Sequence, residues 1–295
     1  MKAVRFHEYG GPDVLRYEDV DRPTPAADGQ VLVKVAATTF NPVDASIRAG
    51  LLRAAMPVQL PHIPGVDLAG TVEGTGEPVI AFLPMLADGA SAEYAVVERA
   101  LLATPPASVP LADSAALASS ALTAWQALFE HARIEPGQRV LVNGAGGGVG
   151  GFAVQLAAQA GAYVIATAGA RSRDAVRAQG ASEILDYTAG PLAVTEPVDV
   201  VLHLVRTDAE PLVERVRPGG VLVSTVGPVE TDADAVRVVP MFVRSDGAQL
   251  TEIAKRVDAG TLKLDISARY PLHELAEVHA GGEKGAFRGK VLITV

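Results

Sequence analysis

The chain reads as an α/β protein of two domains. A β-rich domain, an antiparallel barrel or sandwich, owns both termini, and a doubly wound domain is inserted into it. Three observations predict this. The chain has 295 residues, 49% of them hydrophobic, which is more than one core comfortably fills. Its first third carries many short strand patterns with turn residues between them and no long helical pattern. Strand and helix patterns then alternate, and the strands are nearly continuous apolar runs, as in a parallel sheet covered on both faces.

In the first third, strands are expected at 2–6, 14–20, 30–37, 70–73, 78–82 and 91–97. Gly10-Gly11-Pro12-Asp13, Pro23-Thr24-Pro25 and Asp28-Gly29 supply turns between them. The texture changes at Pro105-Pro106. Residues 113–131 place Leu117, Ala121, Leu122, Trp125 and Leu128 on one helix face. Strands at 139–142, 163–167, 183–185, 199–204 and 221–226 then alternate with helices at 152–159, 171–179 and 209–216. After a helix at 247–258, the strand at 266–272, short helix at 274–279 and strand at 290–295 resemble the opening segment again. The expected division is therefore 1–112 with 262–295 for the β-rich domain and 113–261 for the doubly wound one.

Composition excludes disorder, collagen-like repeats and disulfide-stapled scaffolds. The absence of Cys removes disulfides, thiolate metal ligands and a Cys nucleophile together. Lys and Arg number 25 against 34 Asp and Glu, a net charge of −9, so nucleic acid and anionic membrane are not expected partners. Residues 140–170 carry no charge, but Asn143, Gln155, Gln159 and a run of Gly interrupt them, so no spanning helix is expected. The charged start, Met1-Lys2-Ala3-Val4-Arg5, lacks the apolar stretch of a secretory signal. A cytoplasmic protein is expected.

The strand at 139–142 runs into Gly144-Ala145-Gly146-Gly147-Gly148-Val149-Gly150-Gly151 and then a helical pattern. Two registers fit a dinucleotide fingerprint: Gly146-x-Gly148-x-x-Gly151, and Ala145-x-Gly147-x-x-Gly150 with Ala in first place. In either, small residues permit the tight turn, backbone N–H groups approach a pyrophosphate, and the helix N-terminus adds partial positive charge. A Walker loop is rejected, because no Gly-Lys-Ser/Thr follows. Cofactor preference is read about 20 residues on. There the strand ends at Thr167 and Ala168 with no carboxylate, and Arg171-Ser172-Arg173 follows. Two guanidiniums and a hydroxyl suit a 2′-phosphate, favouring NADPH over NADH.

The chain resembles the medium-chain dehydrogenase/reductase superfamily, and within it the zinc-free quinone oxidoreductase branch that includes zeta-crystallin. The carriers are Met1-Lys2-Ala3-Val4, Asn41-Pro42-Val43-Asp44 with Ile47-Arg48-x-Gly50, and Pro64-Gly65-Val66-Asp67-Leu68-Ala69-Gly70. Further carriers are Leu122-Thr123-Ala124-Trp125, Pro136-Gly137-Gln138-Arg139, the glycine loop in the Ala145 register, Gly180-Ala181 with Ile184-Leu185-Asp186-Tyr187, and Arg288-Gly289-Lys290-Val291. The resemblance covers nearly the whole chain. It implies a GroES-like β-barrel domain, a Rossmann domain, a cofactor cleft between them, and hydride transfer from NADPH to a quinone or an activated C=C bond. It also implies that Asn41 and Thr123 sit near the nicotinamide, Tyr187 near the adenosine, and Gly227, Phe242 and Val243 along the nicotinamide side. A homodimer through the strand at 236–239 is implied in the same way.

The chain departs from the family pattern in several places. Where metal-dependent relatives have Gly-His-Glu, it reads Gly65-Val66-Asp67, so zinc is not expected. Ser46 stands where several quinone reductases have Tyr or Lys, His203 where relatives often have Asp, and the segments at 74–78 and 205–208 are short. The six His show no metal-ligand spacing, and reduction of an electron-poor acceptor asks less of the protein than alcohol oxidation does. Asn41, Asp44 and Ser46 are the candidate catalytic residues. Asn41 would orient a carbonyl or carboxamide, and Ser46 is the only small hydroxyl there. Asp44 reads more as a loop holder, bonded to backbone or to Arg48. His62, between Pro61 and Pro64, reads as an ordinary loop residue. The expected activity is a zinc-independent NADPH-dependent quinone or enone reductase. Short-chain enoyl reduction and a non-catalytic NADPH-binding regulatory protein are the alternatives.

Overall fold

Runs rich in Val, Ile and Ala between Gly and Pro give the strands, and Ala/Leu-rich stretches give the helices. In the computed structural model, residues 1–190, 192, 194–231 and 235–295 are described. In chain order the elements are β1 (Lys2–Phe6), β2 (Leu15–Asp19), β3 (Gln30–Thr39), α1 (Pro42–Arg48), β4 (Asp67–Val72), β5 (Pro78–Phe82) and β6 (Tyr94–Glu98). There follow α2 (Ala118–Trp125), β7 (Arg139–Asn143), α3 (Gly148–Gln159), β8 (Tyr163–Thr167), α4 (Arg173–Ala178), β9 (Glu183–Leu185) and β10 (Val198–His203). The remainder is α5 (Glu210–Val213), β11 (Val216–Ser224), β12 (Arg237–Pro240), α6 (Gly247–Asp258), β13 (Ile266–Pro271), α7 (Leu275–Glu283) and β14 (Lys290–Thr294).

Contacts divide the chain into two compact units, Met1–Ser119 with Ser245–Val295, and Ser120–Arg244. The helix α6, expected in the doubly wound domain, falls in the first unit. It packs on the segment before α2: Thr104 N donates to Thr251 Oγ1 at 3.2 Å and Ser108 N to Asp258 Oδ1 at 2.8 Å.

The first unit holds a six-stranded sheet in the order β13-β14-β3-β4-β5 with β6 also on β3, and a separate β1-β2 ribbon. All its pairings are antiparallel except β13 with β14. That pair is parallel because α7 carries the chain back across, as a parallel connection requires. Its buried clusters include one around Phe6, Ile47, Val278 and Ile293, another around Val33, Leu68, Val79 and Val97, and a small one of Ala3, Ile63 and Ala92.

The second unit is an all-parallel sheet in the order β12-β11-β10-β7-β8-β9, a doubly wound Rossmann arrangement whose strand order reverses between β7 and β10. Its core includes Leu141, Ile165, Val201 and Leu222, all fully buried. Each such side chain contributes about 1.5–3 kcal/mol on burial. The expected helix at 113–131 is broken into a 3₁₀ turn Leu111–Ala116, α2, and a π-type segment Gln126–Ala132 that ends on Arg133 at φ 56°. The helix at 209–216 shrinks to the four residues of α5, because β11 begins at Val216. The helix α1 was missing from the sequence expectation, although Pro42 in its first turn after Asn41 is a start signal.

Candidate functional site: two buried polar clusters

In the second unit, four neighbouring strands end in a buried polar residue: Thr167 on β8, Asn143 on β7, His203 on β10 and Ser224 on β11. The first three are hydrogen-bonded in a row across the carboxyl ends of the sheet, where open α/β sheets bind ligands. Gly144 N donates to Thr167 Oγ1 at 2.9 Å, Thr167 Oγ1 donates to Asn143 Oδ1 at 3.0 Å, and Asn143 Nδ2 lies 3.1 Å from His203 Nδ1. Asn143 Nδ2 can only donate, so His203 Nδ1 accepts. Burial lowers the His203 pKa, against a bond to the Thr207 backbone and the charge of Asp208, which keeps the ring neutral at neutral pH. Ser224 Oγ donates to Gly227 O at 2.7 Å. His203, Ser224 and Gly227 line a crevice of about 890 Å³.

The glycine loop fits a dinucleotide on its own geometry. Gly144 turns at φ 99°, and α3 begins at Gly148 with Gly147 as N-cap, a residue with no side chain to cap the first N–H groups. A Cβ at Gly150 would stand 2.2 Å from Gly144 O and 2.5 Å from Ala145 Cα, so only Gly lets the helix approach the turn. A Cβ at Gly151 would meet only the Gln179 side chain, at 2.9 Å. This packing favours the Ala145-x-Gly147-x-x-Gly150 register. Gly147 is exposed with no atom nearer than 3.6 Å to its virtual Cβ, leaving the backbone open where a pyrophosphate must approach. Val149 is half-buried and Ala168 buried.

Ser172 lies against Gly146, whose virtual Cβ would be 2.5 Å from Ser172 Oγ. Arg173 pairs with Asp186, which also accepts from Thr188 N at 2.9 Å and Thr188 Oγ1 at 2.6 Å. Arg171 is exposed. Tyr187 is 57% exposed and lies over Gly169. Thr123 is buried in α2, Phe242 is largely exposed and Val243 half-buried. The loop, Thr167 and Ser172 thus form one contact network. Thr123, Phe242 and Val243 sit on other segments of the same unit.

The first unit gathers Asn41, Asp44, Asp67 and Lys290, none more than 7% exposed. Asp67 Oδ2 accepts from Lys290 Nζ at 3.0 Å, from Asn41 Nδ2 at 2.9 Å and from Thr39 Oγ1, while its Oδ1 accepts from Ser119 N at 2.7 Å. Burial opposes ionisation of Asp67, but Lys290, Thr39, Asn41 and Ser119 together hold its pKa below the usual carboxylate range. Asn41 Oδ1 accepts from Lys290 Nζ at 2.6 Å and from Ser119 Oγ at 3.2 Å. An ammonium has no lone pair, so the amide oxygen must face it and the orientation is fixed. The second Nδ2 hydrogen makes long contacts to Thr39, at 3.4 and 3.5 Å, and faces Asp44 as well, and it is the donor that Asn41 could offer to an oxygen.

Asp44 holds the loop through backbone, accepting from Gly65 N at 3.1 Å. Arg48 is not its partner; it pairs with Glu283 on α7. Burial first and Asp67 second push the Asp44 pKa up to about 7. Ser46 Oγ donates to Pro42 O at 2.9 Å, one turn back on α1. Sequence reasoning named Asp67 and Lys290 only as parts of motifs and missed their roles. A Lys on an otherwise apolar closing strand was the available signal. Among the described residues, no group of three or more His, Asp or Glu is placed to hold a metal, and no helix is long and apolar enough to cross a membrane.

Comparison with known proteins agrees with this architecture. Residues 27–106 match the alcohol dehydrogenase GroES-like domain and residues 179–293 match the zinc-binding dehydrogenase family. A chloroplastic quinone-oxidoreductase homolog of Spinacia oleracea is 34% identical, over 99% of this chain and 98% of its own. Quinone oxidoreductase of Mus musculus is 31% identical over 95% and 93%. Among solved structures, Escherichia coli quinone oxidoreductase complexed with NADPH superposes with a TM-score of 0.90 at 25% identity, covering 100% of both chains. The quinone oxidoreductase from Coxiella burnetii gives 0.89 at 29%, covering 100% of this chain and 99% of its own. The chain belongs to the medium-chain dehydrogenase/reductase superfamily, among its quinone oxidoreductases, with a GroES-like and a Rossmann domain.

Proposed function

We propose that the protein is a cytoplasmic, zinc-independent oxidoreductase that uses NADPH to reduce a quinone or an α,β-unsaturated carbonyl. The observation that carries the reading is the glycine loop: an open backbone at Gly147 beside a turn that only Gly150 allows, ahead of a helix N-terminus with no side-chain cap. The relative solved with NADPH supports a nicotinamide cofactor, and the lack of a carboxylate at the end of β8 favours NADPH over NADH. As functional domains we propose 1–112 with 262–295 and 113–261, while by contacts α6 and residues 113–119 group with the first unit.

Residues 144–150 would hold the pyrophosphate through backbone N–H groups. Arg171, Ser172 and Arg173 would take the 2′-phosphate, with Arg173 held in place by its ion pair with Asp186. Tyr187 would cover the adenosine, and Thr123, Gly227, Phe242 and Val243 would line the nicotinamide. Bound NADPH supplies the hydride. Asn41, oriented by Lys290 and Asp67, would offer its remaining N–H to the acceptor or carboxamide oxygen. The strand β12 lies at the sheet edge, which supports a homodimer through it.

NADPH oxidation against a panel of quinones and 2-alkenals tests the reading. Acceptor-dependent oxidation is the expected result, whereas tight NADPH binding with no oxidation by any acceptor favours the non-catalytic alternative. Arg171→Ala with Arg173→Ala should lower the NADPH-over-NADH preference about tenfold or more, corresponding to about 1.4 kcal/mol. An unchanged preference removes the 2′-phosphate assignment.

A further inference from the structure

Reduction of a quinone needs a proton as well as a hydride, and the first unit holds one in an unusual place. Its buried cluster has a single ammonium, Lys290, and two carboxyls, Asp67 and Asp44. Lys290 is bonded to Asp67, whose four oxygen contacts are all donors. Asp44 is 3% exposed, Oδ1 accepts from Gly65 N, and Oδ2 has no partner. A second carboxylate beside a neutralised pair has no counter-charge, so Asp44 keeps its proton near neutral pH.

The unpartnered carboxyl faces one other polar side chain, His62, across an otherwise apolar lining. Asp44 lines a small cavity of about 10 Å³ together with His62, Gly65, Pro84 and Met85, a volume at the lower limit for one water. His62 is itself buried, 4% exposed, and its Nδ1 lies 3.5 Å from Asp88 Oδ1, on a side chain that is 63% exposed. Burial lowers the His62 pKa against the pull of Asp88, so the ring is neutral at neutral pH and able both to accept and to donate a proton. Asp88, His62, the cavity and Asp44 thus run in sequence from solvent to a buried acid. The charged groups facing Asp44 are Asp67 and Lys290, and the one facing His62 is Asp88.

We propose that Asp44 and His62, bridged by one water in this cavity, supply the proton taken up by the reduced acceptor, with Asp88 passing solvent protons to His62. The proposal rests on the reductase reading above. The acceptor gains a hydride, two electrons and one proton, from the reduced nicotinamide, which is oxidised by two electrons. The Asp44 O–H bond then breaks, the proton goes to the acceptor oxygen, and the Asp44 carboxylate is reprotonated through His62. The quinone thereby becomes the hydroquinone with charge and atoms balanced. Asp44 is the general acid of this step, and His62 acts on it through the bound water as the residue that restores its proton.

Carbon-13 NMR of aspartate-labelled protein without cofactor tests the pair independently of activity. One carboxyl signal, missing from Asp44→Asn, should titrate near neutral pH, and His62→Gln should move its midpoint. In turnover with NADPH and a quinone, His62→Gln should lower kcat about tenfold and raise the solvent deuterium isotope effect, with the KM for NADPH unchanged. An Asp44 signal titrating in the ordinary carboxylate range overturns the proposal. So does a His62→Gln enzyme with an unmoved midpoint and an unchanged isotope effect. If the unmodified protein fails to oxidise NADPH with any acceptor of the panel, the reductase reading falls and the proton loses its destination. The NMR midpoints still decide separately whether Asp44 and His62 are linked.

Discussion

The polar clusters of the two units differ in how their groups are satisfied. At the carboxyl ends of the parallel strands, Thr167, Asn143 and His203 are neutral and pass hydrogen bonds along a row. Around Asn41, the buried groups are an ammonium and two carboxyls whose protonation states depend on one another. A neutral row can be laid down by strand ends that are already neighbours in a sheet. An ionic cluster has to be assembled from distant segments and is costly when one member is missing. The first arrangement suits a scaffold whose backbone does the binding. The second suits a place where protons and dipole orientation matter.

Removing the lone cation should have the largest effect on this contrast. Lys290→Met leaves Asp67 buried beside Asp44 with no counter-charge, and unfolding in urea should show a loss of about 3–5 kcal/mol at neutral pH. The loss should shrink in acid, where Asp67 takes up a proton. Lys290→Met with Asp67→Asn should recover much of it, because no unpaired charge remains. A single variant as stable as the parent would mean that the cluster is solvated and not ionic in the sense described.

The neutral side of the comparison is probed through the glycines. Gly150→Ala places a methyl against Gly144 O and Ala145 Cα, so a loss of about 1–3 kcal/mol and of NADPH binding is expected by calorimetry. Gly151→Ala pushes only the far end of Gln179 and should stay within about 1 kcal/mol, with NADPH binding retained. The reverse ranking would move the fingerprint to the Gly146 register.

The pH dependence of stability separates the two carboxyls of the first unit by sign. The Asp44 pKa is about 7 in the folded chain against an ordinary 3.8, so the native state holds an extra proton between those values. Stability from this group therefore falls as pH rises from about 4 to about 7, by up to about 1.4 kcal/mol per unit, and is level above. Asp67 runs the other way: its pKa is held low, so its contribution is present above the unfolded value and lost as pH falls through the folded one. Asp44→Asn should abolish the decline toward neutral pH. Urea midpoints at pH 5 and pH 8 that keep the same difference in the variant would contradict this.

What was legible in the sequence follows the same divide. The Rossmann half could be read because its signals are local: contiguous small residues restrict the turn, and alternating apolar runs give strand and helix. The register of the glycine loop stayed open, because two overlapping patterns are equivalent until the helix is packed against Gly144. The ionic cluster was not legible as a cluster. Asn41 and Lys290 are 249 positions apart and meet because β14 pairs antiparallel with β3, Leu292 opposite Thr39. No local pattern encodes that register. The helix α1 was missed because its seven residues are too few for periodicity, and the parallel β13–β14 pair because strand direction depends on the connection between them.

The smallest expected effect belongs to Ser46, and it bears most on the mechanism. Its hydroxyl donates to Pro42 O within α1, a bond that helices do without at little cost. Ser46→Ala should therefore change stability by less than about 1 kcal/mol and leave quinone-dependent NADPH turnover within about twofold. Unchanged turnover removes Ser46 from the mechanism and leaves Asp44 as the acidic group of α1 able to serve the acceptor. A tenfold fall in kcat at unchanged stability would instead make this hydroxyl the proton donor. The ionic cluster would then act by orienting Asn41 alone, and the two units would differ in what they hold rather than in whether they move a proton.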